Sequence, residues 1–130
     1  MSQANVETAT RGNDALKRGD WQALAETMDA HVLLRTDPRW PEQHLYGREA
    51  VIAFVRDTGE SGGTDMRIEE IVDLGDRLLI HRRWVMRGER SGVEGDVRYS
   101  EIATFRDGKV ILIEMFLERE QALRAMGLEA

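Results

Sequence analysis

Two acidic residues occupy positions from which they could do acid–base chemistry. Glu101 lies in the segment SEIATF, and because strand side chains alternate, it shares one face with Ala103 and Phe105. Asp37 ends the segment HVLLRTD directly before Pro38, where a fixed turn leaves its carboxylate ionised. Proton transfer to and from a small molecule needs two titratable groups in different environments. Both residues are therefore candidate catalytic groups.

The environment of Glu101 depends on its placement in the sheet. If it points into an apolar interior without a cation, burial favours the protonated acid, which can donate a hydrogen bond. The alternative is the outer surface, with a cross-strand ion pair to Arg83 or Lys109. The register also matters, because a two-residue turn at Asp107–Gly108 puts Glu114 opposite Glu101, whereas a three-residue bulged loop puts Glu114 on the other face. The sequence leaves both alternatives open.

Arginines and aromatic residues are candidate ligand contacts. In HRRWVMR successive side chains alternate, so one of Arg82 and Arg83 must face the side of the sheet that helices cover. A guanidinium there could bind an internal carboxylate or an anionic ligand group. Alternatively, the segment is an edge strand that its charges protect. The predicted ligand-binding set comprises Trp40, Tyr46, Trp84, Tyr99, Arg82 and Glu114.

The composition restricts the class of protein. The chain has 130 residues, of which 42% are hydrophobic and 32% are charged, and this predicts a single soluble domain over residues 1–130. The net charge of −6 opposes binding to nucleic acid, which depends on Lys and Arg at the phosphates. No apolar run has the length of a membrane span or of a signal peptide, so we expect no membrane partner and a cytoplasmic location.

The sequence lacks the motifs of metal and cofactor sites. It contains no Cys, and His31, His44 and His81 do not have the spacing of metal ligands. No glycine-rich segment continues into the Lys-Ser/Thr pair of a phosphate loop. GESGG, at residues 59–63, fits the G-x-S-x-G pattern of serine hydrolases, but it follows a predicted helix rather than a strand. We interpret it as a loop, and we expect no metal and no cofactor.

The predicted elements place these residues in an α+β fold. Hydrophobic spacing indicates a helix from Asn5 to Arg18, a short helix capped by Asp20, and a third helix over REAVIAFVRDT. HVLLRTDP is a predicted strand and DPRWPEQHLYG a predicted loop. The segments MRIEEIVDLG, RLLIHRRWVMRG, GDVRYSEIATF and KVILIEMFLE are predicted strands, and REQALRAMG is a last short helix. Helices followed by antiparallel strands indicate that the helices cover one face of a sheet.

This order of elements resembles the SnoaL-like branch of the nuclear transport factor 2 superfamily over nearly the whole chain. Four short motifs carry the resemblance: Gly19–Asp20, Gly47–Ala50, Asp107–Lys109 and Glu120–Leu123. It implies a cone-shaped, curved antiparallel or mixed sheet wrapped around three N-terminal helices, with a short C-terminal helix and a small-molecule pocket inside. The superfamily includes polyketide cyclases, ketosteroid isomerases, hydrolases and binding modules, so the fold alone does not assign a function.

The resemblance to ketosteroid isomerases also implies residue roles. The general-base aspartate of those enzymes precedes a proline at the end of the first strand, which matches Asp37. Their oxyanion-stabilising acid matches Glu101, and SnoaL-like cyclases also have an acidic residue in the pocket. The tyrosine that the isomerases have in the first helix falls here on Gly12, a departure that argues against steroid isomerisation.

The leading prediction is a small-molecule pocket protein that does acid–base chemistry on a carbonyl-containing or apolar cyclic compound. Asp37 would be the base and Glu101 the acid or oxyanion donor. The alternative is a non-catalytic ligand-binding or dimeric scaffold module of the same fold. We also expect a homodimer through the outer sheet face, because the last strand has apolar side chains on both faces and the helices cover only one.

Overall fold

The computed structural model describes residues 2–39, 44–58, 65–87 and 94–128. The GESGG segment lies outside these residues. The elements in chain order are α1 (Ser2–Arg18), α2 (Trp21–Glu26), β1 (Met28–Arg35), β2 (His44–Tyr46), α3 (Arg48–Thr58), β3 (Asp65–Asp73), β4 (Arg77–Arg87), β5 (Glu94–Arg106), β6 (Lys109–Phe116) and α4 (Arg119–Ala125). Among the described helices, none is long and apolar enough to cross a membrane.

The six strands form one mixed sheet in the order β2-β1-β6-β5-β4-β3. All neighbouring strands are antiparallel except β1 and β6, which run parallel. The sheet curves around the N-terminal helices, whose apolar side chains pack on its inner face. The predicted α+β cone is therefore confirmed.

The main core lies between these helices and the inner face of the sheet. Leu78, Ile80 and Phe105 project from β4 and β5 into this core and are at most 5% exposed. They meet Leu16 of α1 and Val51 of α3, which lie on the apolar stripes of their helices. Alternation along β4 and β5 thus assigns every second side chain to the inside of the cone.

A second, smaller core lies on the opposite face of the sheet. Ala122 and Met126 at the C-terminal helix pack there against Leu79 of β4 and Ile102 of β5. The prediction that helices cover only one face is therefore wrong, because α4 covers part of the outer face. Only the part of the outer face that α4 leaves uncovered is available for the predicted homodimer contact.

The hairpin between β5 and β6 combines a tight turn with a bulge. Asp107 and Gly108 both have positive φ values, 52° and 77°, which a two-residue type I′ turn requires. Phe105 pairs with Val110 across this turn, but the register then shifts by one residue, so that Glu101 pairs with Met115. The extra residue in β6 moves Glu114 to the outer face. Neither of the two predicted registers describes this combination.

Several element boundaries differ from the sequence predictions. The first helix begins at Ser2 rather than Asn5. The apolar spacing Trp21, Leu24, Ala25 and Met28 predicts that Met28 belongs to the second helix, but Met28 begins β1, where it pairs with Val110 and is 4% exposed. Tertiary pairing therefore overrides its helical spacing. The predicted loop contains the short strand His44–Tyr46, whose three residues are too few to show a period of two.

Candidate functional site

A cavity of about 120 Å³ lies inside the cone, between the helices and the inner face of the sheet. Its walls are almost entirely apolar. Leu24, Val51 and Phe54 contribute from the helices, and Trp84, Ile113 and Met115 contribute from the sheet. An apolar cavity with a few polar groups is the usual form of a small-molecule site.

The polar side chains of this cavity are Arg82, Tyr99 and Glu101, and together with Asn13, which is hydrogen-bonded to Arg82, we call them the polar corner. Arg82 Nε donates a hydrogen bond to Glu101 Oε1, and Arg82 Nη1 donates to Asn13 Oδ1 at 2.8 Å. Asn13 Nδ2 in turn donates to the carbonyl oxygen of Met66 at 3.2 Å. The side chains of Arg82 and Glu101 are each 10% exposed, so this is a buried ion pair.

The pair keeps Arg82 charged inside the protein. Burial by itself would lower the pKa of Arg82, but the negative charge and the hydrogen bond of Glu101 hold that pKa above its ordinary value. Glu101 was predicted either as a buried acid without a cation or as a surface ion-pair partner of Arg83 or Lys109. The structure instead buries it with a cation, Arg82, as its partner.

Tyr99 supplies a neutral hydrogen-bond donor beside this pair. Its hydroxyl donates to the sulfur of Met66 at 3.5 Å, and a thioether is a weak acceptor. Burial, followed by the nearby Glu101 carboxylate, raises the pKa of Tyr99 above its ordinary value. The phenol therefore stays protonated, and a ligand oxygen would be a better acceptor for it than the sulfur.

A second cavity of about 70 Å³ lies on the α1 side of the polar corner. Its lining includes Gly12 and Thr27 from the helical hairpin and Phe105 from β5. Arg82 and Glu101 line both cavities. The ion pair therefore separates the larger apolar space from a smaller one next to Gly12.

Asp37 lies elsewhere, in a tight local structure at the end of β1. It is 1% exposed, and it is absent from the linings of both cavities. Its carboxylate accepts from Arg39 Nε at 2.9 Å and Arg39 Nη2 at 3.1 Å, and from the backbone N–H groups of Arg39 and Leu117, both at 2.9 Å. The Arg39 side chain is the main cause that holds the pKa of Asp37 far below its ordinary value. The carboxylate thus ties the ends of β1 and β6 together.

The structure brings together only part of the predicted ligand-binding set. Arg82, Trp84 and Tyr99 line the larger cavity. Tyr46 is 73% exposed, and Glu114 is on the outer face with its Oε2 3.8 Å from Arg35 Nη1. Trp40 lies outside the described residues.

Sequence reasoning missed Asn13, the third member of the buried network. Asn13 lies four residues after Ala9 and three residues before Leu16, so helical spacing puts it on the buried stripe of α1. A polar residue at such a position is the signal that was available, because buried amides need hydrogen-bond partners. No group of three or more His, Asp or Glu side chains in the described part of the chain could hold a metal ion.

Comparison with known proteins identifies the fold and a family. The sequence profile of the SnoaL-like domain matches residues 9–113. Bal32a from a soil-derived mobile gene cassette has a similar structure, with a TM-score of 0.75, 26% identity and 88% coverage of each chain. TerC, co-crystallised with polyporic acid, has a TM-score of 0.74 and 17% identity, with 96% of this chain and 97% of that chain covered.

A third similar structure comes from Catenulispora acidiphila. This hypothetical protein with a ketosteroid isomerase-like fold, in complex with trimethylamine, has a TM-score of 0.72 and 15% identity. The alignment covers 94% of this chain and 93% of that chain. No curated protein matches the sequence significantly.

Asp37→Asn should lower the free energy of unfolding by about 2 kcal/mol at neutral pH, since hydrogen bonds to charged groups contribute roughly 1.5–3 kcal/mol each. Because the folded pKa of Asp37 is lowered, its contribution is fully present above the ordinary value of 3.8 and is lost as the pH falls towards the folded value. Urea denaturation at several pH values measures the free energy of unfolding of both proteins. The exposed Asp14→Asn is the control, and a constant gap between wild type and Asp37→Asn down to acid pH would contradict the assignment.

Gly12→Ala should stabilise the fold by about 1 kcal/mol, because glycine is that much less favourable than alanine inside a helix. The new Cβ would lie 3.5 Å from Thr27 Oγ1 and 3.7 Å from Leu24 Cδ1, which is ordinary contact distance. It would also reduce the smaller cavity. Urea denaturation measures the stability, and a loss of stability would show that the site next to Gly12 has no room for a methyl group.

Proposed function

The chain belongs to the SnoaL-like domain family, and from that premise we propose that it binds a small, mainly apolar cyclic compound with one carbonyl or hydroxyl oxygen. The observation that carries the proposal is the buried Arg82–Glu101 pair in the wall of an otherwise apolar cavity. TerC was crystallised with polyporic acid, and the Catenulispora protein with trimethylamine, so similar folds take up small molecules.

The energetics of the ion pair support a role beyond stability. Removing two charges from water is costly, and hydrophobic residues of similar volume often hold a core equally well. A guanidinium has five N–H donors, and the bonds to Glu101 and Asn13 use two of those on Arg82. Together with the weakly bound hydroxyl of Tyr99, the remaining donors suit a ligand oxygen.

The size of the cavity limits the ligand. At about 120 Å³ it is close to the 150 Å³ of an engineered apolar cavity that binds benzene, and below the roughly 300–1,000 Å³ of sites for drug-sized molecules. A compound with a single ring fits these dimensions. A molecule of four fused rings exceeds this volume, and the tyrosine of the isomerases is absent at Gly12.

Acid–base catalysis is the chemistry that this corner would perform. With the ligand oxygen bound to Tyr99 and Arg82, negative charge that develops on that oxygen would be stabilised by donors already in place. Glu101 would take the proton from the carbon next to the carbonyl group. In this proposal Glu101 replaces Asp37 as the base, because Asp37 does not line the cavity and is held by four hydrogen bonds.

Non-catalytic binding is the second candidate function, and a specific observation favours it. Glu101 is the one carboxylate in the linings of the two inner cavities, and it already accepts a hydrogen bond from Arg82. This hydrogen bond occupies Oε1 of Glu101 and competes with proton transfer to that oxygen. Binding and chemistry therefore need separate tests.

Binding is tested with cyclohexanone and methylcyclohexane, followed by methyl-detected NMR of the cavity residues. We expect both compounds to shift these signals. Tyr99→Phe should weaken the binding of cyclohexanone about tenfold, roughly 1.4 kcal/mol. It should leave the affinity for methylcyclohexane, which has no oxygen, unchanged. The exposed Tyr46→Phe is the matched control. If neither compound perturbs residues of the cavity, the binding proposal is wrong.

Chemistry is tested by proton exchange at the carbon next to the carbonyl group of cyclohexanone in D2O. The acid–base mechanism predicts that the protein catalyses this exchange. Glu101→Gln should abolish the catalysed exchange, and Glu114→Gln should leave it intact. The two glutamates lie on neighbouring strands but on opposite faces of the sheet. Binding without catalysed exchange would instead favour the ligand-binding module.

A homodimer through the outer sheet face stays a prediction, as does the cytoplasmic location. On that face Leu33 pairs with both Tyr46 and Leu112, which forms an apolar row across β2, β1 and β6 beside α4. We propose that a second copy covers this row. Sedimentation should give twice the mass of 14.8 kDa. Tyr46→Glu should give monomers, whereas the exposed helix variant Arg56→Glu should not, and a monomeric wild type at micromolar concentration would contradict the proposal.

A further inference from the structure

A third cavity lies on the side of the sheet opposite the polar corner, and we call it the outer pocket. Its volume is about 170 Å³, and its lining comprises Glu69, His81, Arg82, Arg98, Tyr99, Ser100, Leu117 and Arg119. His81 precedes Arg82 in β4, and Ser100 precedes Glu101 in β5, so alternation directs these two side chains away from the inner cavity. Arg82 and Tyr99 of the polar corner also line the outer pocket, but His81 and Ser100 line neither inner cavity.

His81 is buried in this pocket with one ring nitrogen unsatisfied. The residue is 5% exposed, and its Nδ1 is 2.6 Å from the hydroxyl of Ser100. Its Nε2 is buried and has no hydrogen-bond partner. Every other buried side-chain nitrogen or oxygen in the described residues has one. The nearest carboxylate oxygen, of Glu70, is 3.9 Å away and beyond hydrogen-bond distance. Buried polar groups rarely stay unpaired, so a partner from outside the chain is indicated.

The charges around His81 specify what that partner would be. Arg98 and Arg119 both line the pocket, and each gives one hydrogen bond to a glutamate of β3: Arg98 to Glu69 at 3.1 Å and Arg119 to Glu70 at 2.8 Å. Each guanidinium keeps further N–H donors after these bonds. The pocket thus combines two guanidinium groups, each paired with one carboxylate, with an unsatisfied imidazole nitrogen, and the N–H donors of such groups recognise oxyanions.

The protonation of His81 agrees with this assignment. Burial first, and then the positive charge of Arg119, lower the pKa of His81, against the opposing effects of Glu70 and Glu69. The ring is therefore neutral at pH 7, with one N–H. A serine hydroxyl rotates freely, so Ser100 can donate to Nδ1 and leave the proton on Nε2, where it would point to an acceptor.

We propose that the outer pocket binds a small oxyanion, the carboxylate or phosphate group of a small molecule, through His81, Arg98 and Arg119. The anion would accept the Nε2–H of His81, and it would compete with Glu69 and Glu70 for the N–H donors of the two guanidinium groups. The side chain of Arg119 is 58% exposed and that of Arg98 is 66% exposed, so both guanidinium groups reach solvent, whereas Nε2 of His81 is buried behind them. This proposal does not depend on the function of the inner cavity.

The test uses inorganic phosphate and acetate as probes, with the nitrogen chemical shifts of the His81 ring measured by NMR at pH 7. We expect a saturable shift at Nε2 and a rise in the pKa of His81 with the bound anion. Arg119→Gln should weaken binding about tenfold, whereas Arg124→Gln in the same helix should leave it unchanged. Both arginines are exposed, so neither substitution should prevent folding.

The outcomes separate the sources of the anion and can overturn the proposal. Saturation by phosphate alone identifies a phosphate group, and saturation by acetate alone identifies a carboxylate. Equal, non-saturable effects of phosphate, acetate and chloride would overturn the proposal. It would also be overturned by a long-lived water at Nε2 that no anion displaces. Neither of these results would count against the proposed binding of cyclohexanone in the inner cavity.

Discussion

The positive charge of Arg82 is the constraint on which the interior of this protein depends. A buried guanidinium must be paired, and here Glu101 of the neighbouring strand provides the counter-charge and Asn13 of the first helix provides a further acceptor. Asn13 also donates to the backbone of β3. One charge therefore sets the relative positions of a helix and three strands, and the apolar cavity lies beside it.

The order of the elements could be predicted because its signals are local. The Asp-Gly turn, the Asp20 cap, which accepts from the backbone N–H of Ala23, and the helical stripe of α3 each depend on a few neighbouring residues. The bulge in β6 could not be predicted, since apolar side chains lie on both sides of KVILIEMF and every register buries some of them. Likewise, alternation required one arginine of the Arg82–Arg83 pair to face inward but did not identify which one.

Asp37 shows why matching a motif differs from locating a site. Its place before a proline agrees with the base of related isomerases, yet Arg39, two residues later, folds back onto the carboxylate. This contact is local and was available in the sequence as Asp-Pro-Arg. The hydrogen bond from the backbone N–H of Leu117 could not be predicted from the sequence, because it joins residues that are far apart in the chain. The burial of Asp37 results from both contacts, and each of them favours its ionised form.

The parallel contact between β1 and β6 has a consequence for how the chain folds. It joins Met28 to Val110, roughly eighty positions apart, whereas the β3–β4–β5–β6 part of the sheet is made of successive hairpins. Closing so long a loop has a high entropic cost, which later contacts must offset. During synthesis on the ribosome β1 emerges long before its parallel neighbour, so one hydrogen-bonding edge of β1 stays unpaired and open to chaperones or other chains until β6 has been made.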